Sequence, residues 1–201
     1  MAEERFSKGE RTHHAILETA YDLFLEQGYA ATSMRQIASA AGLALGGIYN
    51  HFESKEAIFS ELIVARHPYQ QILPILLRTP ADDMESFVRQ AARAMVGELG
   101  KRPDFIKLML IEMVEFNGRN LPNLLEQVLP QVLPLIGKFN TQNLRSIPPF
   151  ILFRAFLGLF LSFYMSELLL ANAPTALMSE DALDHFVEIF LHGVLIPKEP
   201  A

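Results

Sequence analysis

T-S-M-R-Q-I-A-S-A-A-G-L-A-L-G-G-I-Y-N-H-F-E-S-K-E-A-I-F, from Thr32 to Phe59, reads as two short helices, a tight turn between them, and the start of a third. Thr32 or Ser33 caps the first helix, because a hydroxyl there accepts a bond from an otherwise unpaired first-turn amide. Ile37 and Ala41 lie four residues apart on its inner face, and Ala38 and Ala40 are small enough for close packing. Gly42 follows, where a left-handed residue closes a helix without a Cβ clash. The second helix runs from about Leu45 to His51, with Ile48 and Phe52 facing inward. Ser54 then caps the third, with Glu56 near its positive end. Helix, glycine turn, short helix is the helix-turn-helix plan, whose second helix enters the major groove of DNA.

These residues resemble the TetR-type transcriptional regulators. The segments Ile37-Ala38-x-x-Ala41-Gly42, Ile48-Tyr49-Asn50-His51-Phe52 and Ser54-Lys55-Glu56-x-Ile58-Phe59 carry the resemblance, which covers about 50 residues from Ile16 to Ile63. Two departures stand out. The family usually places a serine cap before the recognition helix, whereas Leu43-Ala44-Leu45 supplies none, and Gly46-Gly47 stands where one residue with a side chain is usual.

The chain has 201 residues, half of them apolar, with no cysteine and a net charge of −6. Disulfides and thiolate metal sites are excluded, and a large core or interface is expected. The start, Met-Ala-Glu-Glu-Arg-Phe, is polar and acidic, so no secretory signal is read and a cytoplasmic location is expected. Between Met1 and Lys55 stand five cations (Arg5, Lys8, Arg11, Arg35, Lys55) against seven carboxylates, so even the DNA-binding segment is acidic. A general basic footprint is missing. Glu18, Asp22 and Glu26 recur every four residues on one face of the first helix, leaving the cations to segments that reach phosphates.

Outward from the motif, Ile16, Ala20, Leu23 and Phe24 keep helical spacing from Arg11 to Gln27, and Gly28 ends that helix. Tyr29 and Phe52 are its expected aromatic fillers. His67-Pro68 interrupts the helix that begins at Lys55, and Pro74 perturbs the next. Pro80 opens a further helix with Asp82 and Asp83 in its first turn. Pro103-Asp104 starts another, closed by Asn117-Gly118. Pro122 starts an apolar helix that Pro130 and Pro134 are expected to break or kink. Phe150–Ala171 is apolar nearly all round, and Ser179–Leu195 is amphipathic, with Ser179 as its cap. No strand, repeat or low-complexity tract is evident. The expected fold is all-α: a three-helix DNA-binding head, 1–55, and a larger helical ligand-binding and dimerisation domain, 56–201.

Only 12 uncharged residues separate Arg154 from Glu167, too few to cross the hydrocarbon without burying a charge, so Phe150–Ala171 is read as a core helix and not a membrane span. Ala155, Gly158, Ser162 and Ser166 form a small-residue stripe that lets another helix approach. The family resemblance implies that Phe150–Ala171 and Ser179–Leu195 form a homodimer.

The expected DNA-binding residues are Thr32, Ser33, Arg35, Leu45, Gly46, Gly47, Tyr49, Asn50, His51 and Lys55. Glycine admits close backbone approach, Tyr49 offers a hydroxyl to phosphate, and Asn50 or His51 can bond a base edge. The partner is a double-stranded, near-palindromic operator. Met95, Phe105, Met109, Met113, Phe116, Phe153, Phe156, Phe160 and Tyr164 give an aromatic, methionine-rich interior suited to apolar ligands. Glu112 and Arg154 are charges within apolar runs that need a partner or a ligand group. The resemblance implies a small-molecule effector in this domain, and repression as the default outcome. The alternative is a helix-turn-helix used for architecture or protein contact without an effector, against which the large apolar C-terminal domain counts. No G-x-S-x-G, P-loop or H-E-x-x-H occurs, so no enzyme is read. The six histidines are scattered, and no metal or cofactor is expected.

Overall fold

Capping chemistry sets most helix starts in the structure, a computed structural model that describes residues 7–80, 83–139, 144–171 and 181–195. The helices are α1 (Lys8–Gln27), α2 (Met34–Ala40), α3 (Leu45–Ile48), α4 (Lys55–Arg66), α5 (Tyr69–Arg78), α6 (Met84–Gly100), α7 (Asp104–Glu115), α8 (Leu121–Gly137), α9 (Pro149–Leu170) and α10 (Ala182–Val194). Among the described residues no strand occurs beyond an isolated bridge between Leu144 and Leu195.

Two compact units form. One holds residues 1–67 and 104–124, the other 68–103 and 125–201. The first is larger than the segment 1–55, because α4 and α7 pack on α1 within it. Ser7 caps α1 in a box with Glu10, Ser33 caps α2 in a box with Gln36, and Ser54 caps α4 by accepting from the Ala57 amide. Gly42, at φ 71°, turns the chain between α2 and α3 in the left-handed region. Ile16, Ala20, Phe24, Ile37, Ile48, Ile58 and Phe59 are essentially fully buried. Tyr29 and Phe52 are buried with them, as their aromatic bulk suggests. On α2 the buried pair is Ile37 with Ala38. Ala40 lies exposed and Ala41, the C-cap of α2, is half-exposed, so neither joins the buried pair.

In the second unit α6 lies against α5, α9 and α10. Asp83 is the cap of α6, taking the Glu85 and Ser86 amides, so it sits one step before the first turn. Asp82, Ser179 and Glu180 fall outside the described residues. Lys138 Nζ donates to the carbonyls of Leu76 (3.1 Å), Leu77 (2.8 Å) and Thr79, satisfying the open end of α5. Arg89 bridges Glu85 (2.8 Å) and Glu188, and Arg93 reaches Asp184 (2.9 Å), tying α6 to α10.

The prolines of α8 do not break it. The helix runs continuously for 17 residues through Pro130 and Pro134. Both rings lie on the exposed side, where the carbonyls that lose a donor can turn to water. Helix α9 begins at Pro149, where a missing amide costs nothing. By length and composition α9 passes for a membrane span, yet Arg154 and Glu167 lie within it. Leu152, Phe153, Phe156, Phe160, Phe163 and Tyr164 are buried in the unit's own core.

Candidate nucleic-acid interface

The first unit holds a short helix, α3, on a firmly braced base. Ile48 is fully buried and Phe52 nearly so, anchoring the two ends of the α3 region. The Asn50, His51 and Phe52 amides donate back to Gly47 and Ile48, so the helical path continues one turn past α3. His13 of α1 stacks on Phe52 (centroids 4.4 Å apart), and its Nε2 lies 2.7 Å from Glu61 Oε1 of α4. One imidazole therefore joins α1, α4 and the tail of α3. The role of His13 was invisible in the sequence, since its partners lie 39 and 48 positions away (52 − 13 and 61 − 13).

With that base fixed, α3 turns Leu45, Gly46, Tyr49 and Asn50 outward, while Gly47 and His51 are half-exposed. Ser33 and Arg35 at the start of α2 are also exposed. These eight are the members of the expected DNA-binding set that remain on an open surface. Ala44 offers α3 no side-chain cap, in agreement with the departure seen in the sequence.

Two members of the set are turned inward. Thr32 is 2% exposed; its hydroxyl donates to the Gly28 carbonyl (2.8 Å) and accepts from Gln27 Nε2 (3.1 Å). Lys55 Nζ donates to the carbonyls of Tyr29 and Thr32, each at 2.7 Å, and lies 4.0 Å from the centre of the Tyr29 ring. Burial lowers its pKa from the ordinary lysine value, Glu56 and Glu115 opposing the shift. Both residues brace the loop between α1 and α2. These hydrogen bonds all support that loop.

The expected ligand set divides between the units. Phe105, Met109, Glu112, Met113 and Phe116 belong to the first; Met95, Phe153, Arg154, Phe156, Phe160 and Tyr164 belong to the second. Phe116 stacks on Phe59 (4.6 Å) and meets Tyr29 edge-on, so it fills the first unit's core. Glu112 is fully buried, and its carboxylate accepts from the Asn120 backbone amide and side chain, both at 2.8 Å. That carboxylate secures the turn after α7 and does not pair with Arg154. Met113 and Arg154 are exposed, Arg154 lying 6.0 Å over the Phe150 ring. In the second unit Phe156 packs near Phe160 (4.8 Å), Phe190 (5.8 Å) and Phe139 (5.9 Å), with Phe87 edge-on to Phe139. Phe139 and Phe190 join this cluster although sequence spacing alone did not group them. Among the described residues no cluster of three metal-ligating side chains occurs.

Residues 16–62 match the family model described as bacterial regulatory proteins, tetR family. The chain is 42% identical over 62 residues to the HTH-type transcriptional regulator AcrR of Shigella flexneri, an alignment spanning 31% of this chain and 29% of that one. It is 46% identical over 55 residues to the HTH-type transcriptional repressor KstR2 of Rhodococcus jostii, spanning 27% and 26%. These two matches therefore span under a third of the relatives' length. In structure, 95% of the chain superposes on all of native NalD, the secondary repressor of the MexAB-OprM multidrug efflux pump in Pseudomonas aeruginosa, with a TM-score of 0.68 and 25% identity. The likeness of fold to NalD runs the length of the chain, and the matched segment holds α2, α3 and the braced surface they present, so residues 16–62 are a DNA-binding segment of the tetR family of bacterial regulatory proteins.

Proposed function

We propose that the protein is a DNA-binding transcriptional repressor that acts as a homodimer on a near-palindromic operator and is released by a small apolar effector. The observation that carries this reading is α3: a short helix held at Ile48 and Phe52, with Leu45, Gly46, Tyr49 and Asn50 presented together on its open side. Side chains at the start of such a helix reach base edges, while neighbours hold phosphates. Tyr49 and Asn50 supply polar contacts, and Ser33 and Arg35 at the start of α2 reach the backbone. Two copies would set their α3 helices about 34–36 Å apart, one turn of the duplex.

Dimerisation is assigned to α9 and α10. Phe150, Ile151, Leu161 and Leu169 of α9 and Ile189 of α10 are large apolar side chains left exposed within the unit. Ala155 and Gly158 lie exposed on α9, where small residues let a partner helix come close. The effector is assigned to the second unit, around Met95, Phe153, Phe156, Phe160 and Tyr164. Its binding would alter the separation of the α3 helices through the segments that connect the units.

A pull-down of sheared genomic DNA with the full chain, followed by sequencing, tests the reading. Enrichment of one or a few sites with twofold-related halves is expected. Tyr49→Ala should lose those sites and keep its helical circular dichroism. Uniform recovery of all fragments would favour the architectural alternative.

A further inference from the structure

The open side of α3 pairs an apolar side chain with two glycines that the fold does not require. Leu45 and Tyr49 lie four residues apart on one face and are 38% and 52% exposed. Neither Gly46 nor Gly47 has a left-handed φ, and a Cβ at either would meet nothing within 4 Å. Alanine would fit both places and strengthen a helix of four residues that already lacks a side-chain cap. The fold thus leaves two successive positions on the outer side of α3 as bare backbone, open to close approach by a partner.

The charge pattern narrows what that partner presents. Residues 45–51 carry no arginine or lysine, and the nearby Lys55 ammonium is committed to the Tyr29 and Thr32 carbonyls. Bidentate reading of guanine by a cationic side chain is thus closed to α3. The apolar group that the major groove offers a leucine is the thymine 5-methyl.

We infer that α3 reads its half-site by close apolar approach: Leu45 packs on a thymine 5-methyl, and Gly46-Gly47 give the clearance that seats the helix deep enough. The inference rests on the DNA-binding reading above and names the specificity of that same surface. Gly46 and Gly47 carry the depth, and Leu45 carries the choice of base.

The test uses the full chain and a random-sequence duplex library. The enriched duplex is resynthesised with deoxyuridine in place of each thymine in turn, which removes only the methyl. At least one substitution in each half-site should weaken binding about fourfold, the worth of one buried methyl. Leu45→Ala should bind the thymine duplex more weakly and show no thymine–uracil difference at that position. Gly46→Ala should raise the thermal midpoint while weakening the enriched duplex. Three results each overturn the inference and leave the regulator reading intact: every uracil duplex binding within twofold of the parent, Leu45→Ala keeping the full difference, or Gly46→Ala leaving affinity unchanged. If no sequence is enriched, both readings fall.

Discussion

Lys55 shows how a residue type can suggest one task while its surroundings impose another. A lysine at the start of a helix beside a groove-reading element reads as a phosphate contact. Its 2.7 Å bonds to the Tyr29 and Thr32 carbonyls make it instead the clamp on the loop before α2. Those acceptors are backbone atoms 26 and 23 positions earlier, so no spacing rule reveals them. Lys55→Ala leaves two part-buried carbonyls without a donor and should lower stability by about 1–3 kcal/mol in urea titration. A phosphate contact would behave differently: stability would hold, and the salt dependence of DNA binding would fall by about one unit of slope. His67 supplies a second prediction. It closes α4 edge-on to Phe105, and burial lowers its pKa from 6.5 to about 4. Between those values the unfolded chain takes up a proton that the folded chain refuses. Stability is therefore complete above about pH 6.5 and falls as the pH drops to about 4, on the order of 3 kcal/mol in all. His67→Gln should flatten the dependence of unfolding free energy on pH in that window, while an unaltered slope would place its origin elsewhere.

The helices divide into those whose boundaries are local chemistry and those whose surroundings decide them. Ser33, Gly42 and Ser54 act within their own turn, so the starts of α2 and α4 and the turn before α3 were legible in the sequence, whereas α3 itself ends at Ile48 and not at His51, the turn beyond it being only loosely helical. Helix α8 was not, because the effect of Pro130 and Pro134 depends on whether the freed carbonyls face water or core, and here both prolines lie outside. The effector residues proved harder still. An aromatic or methionine on an apolar stripe is equally consistent with either unit's core, and only the three-dimensional grouping separates Phe116 from Phe156. Helix α9 makes the sharpest prediction at this scale. Nothing in its own chain lies within 4 Å of a Cβ built on the exposed Gly158, so a larger side chain there disturbs no internal packing. Gly158→Leu should retain its thermal unfolding cooperativity and sediment as a monomer at micromolar concentration. A persistent dimer in that variant would move the interface off this face of α9.

Charge decides the behaviour of the whole molecule toward DNA. The chain is acidic, at −6, and its first 55 residues carry seven carboxylates against five cations. With Lys55 clamped on carbonyls, Arg5, Lys8, Arg11 and Arg35 are what that segment can offer to phosphates, four per chain and eight in the proposed dimer. Each neutralised phosphate contributes about 0.9 to the slope of log affinity against log salt, so the slope should be no steeper than about −7. Amides and hydroxyls such as those of Ser33 and Tyr49 hold phosphates without releasing counterions, and they add nothing to it. In the proposed dimer affinity then comes from geometry: two α3 helices seated in successive grooves, each fixed by Ile48, Phe52 and the His13 bridge to Glu61. A duplex with a single half-site should accordingly bind far more weakly than the paired site, because it offers one α3 helix its contacts and leaves the other without a groove. Titrating both duplexes from low to physiological salt by fluorescence anisotropy checks the argument. A slope of −9 or steeper would require the Lys55 ammonium on each chain to reach the backbone after all, and near-equal affinity for the two duplexes would remove the geometric argument altogether.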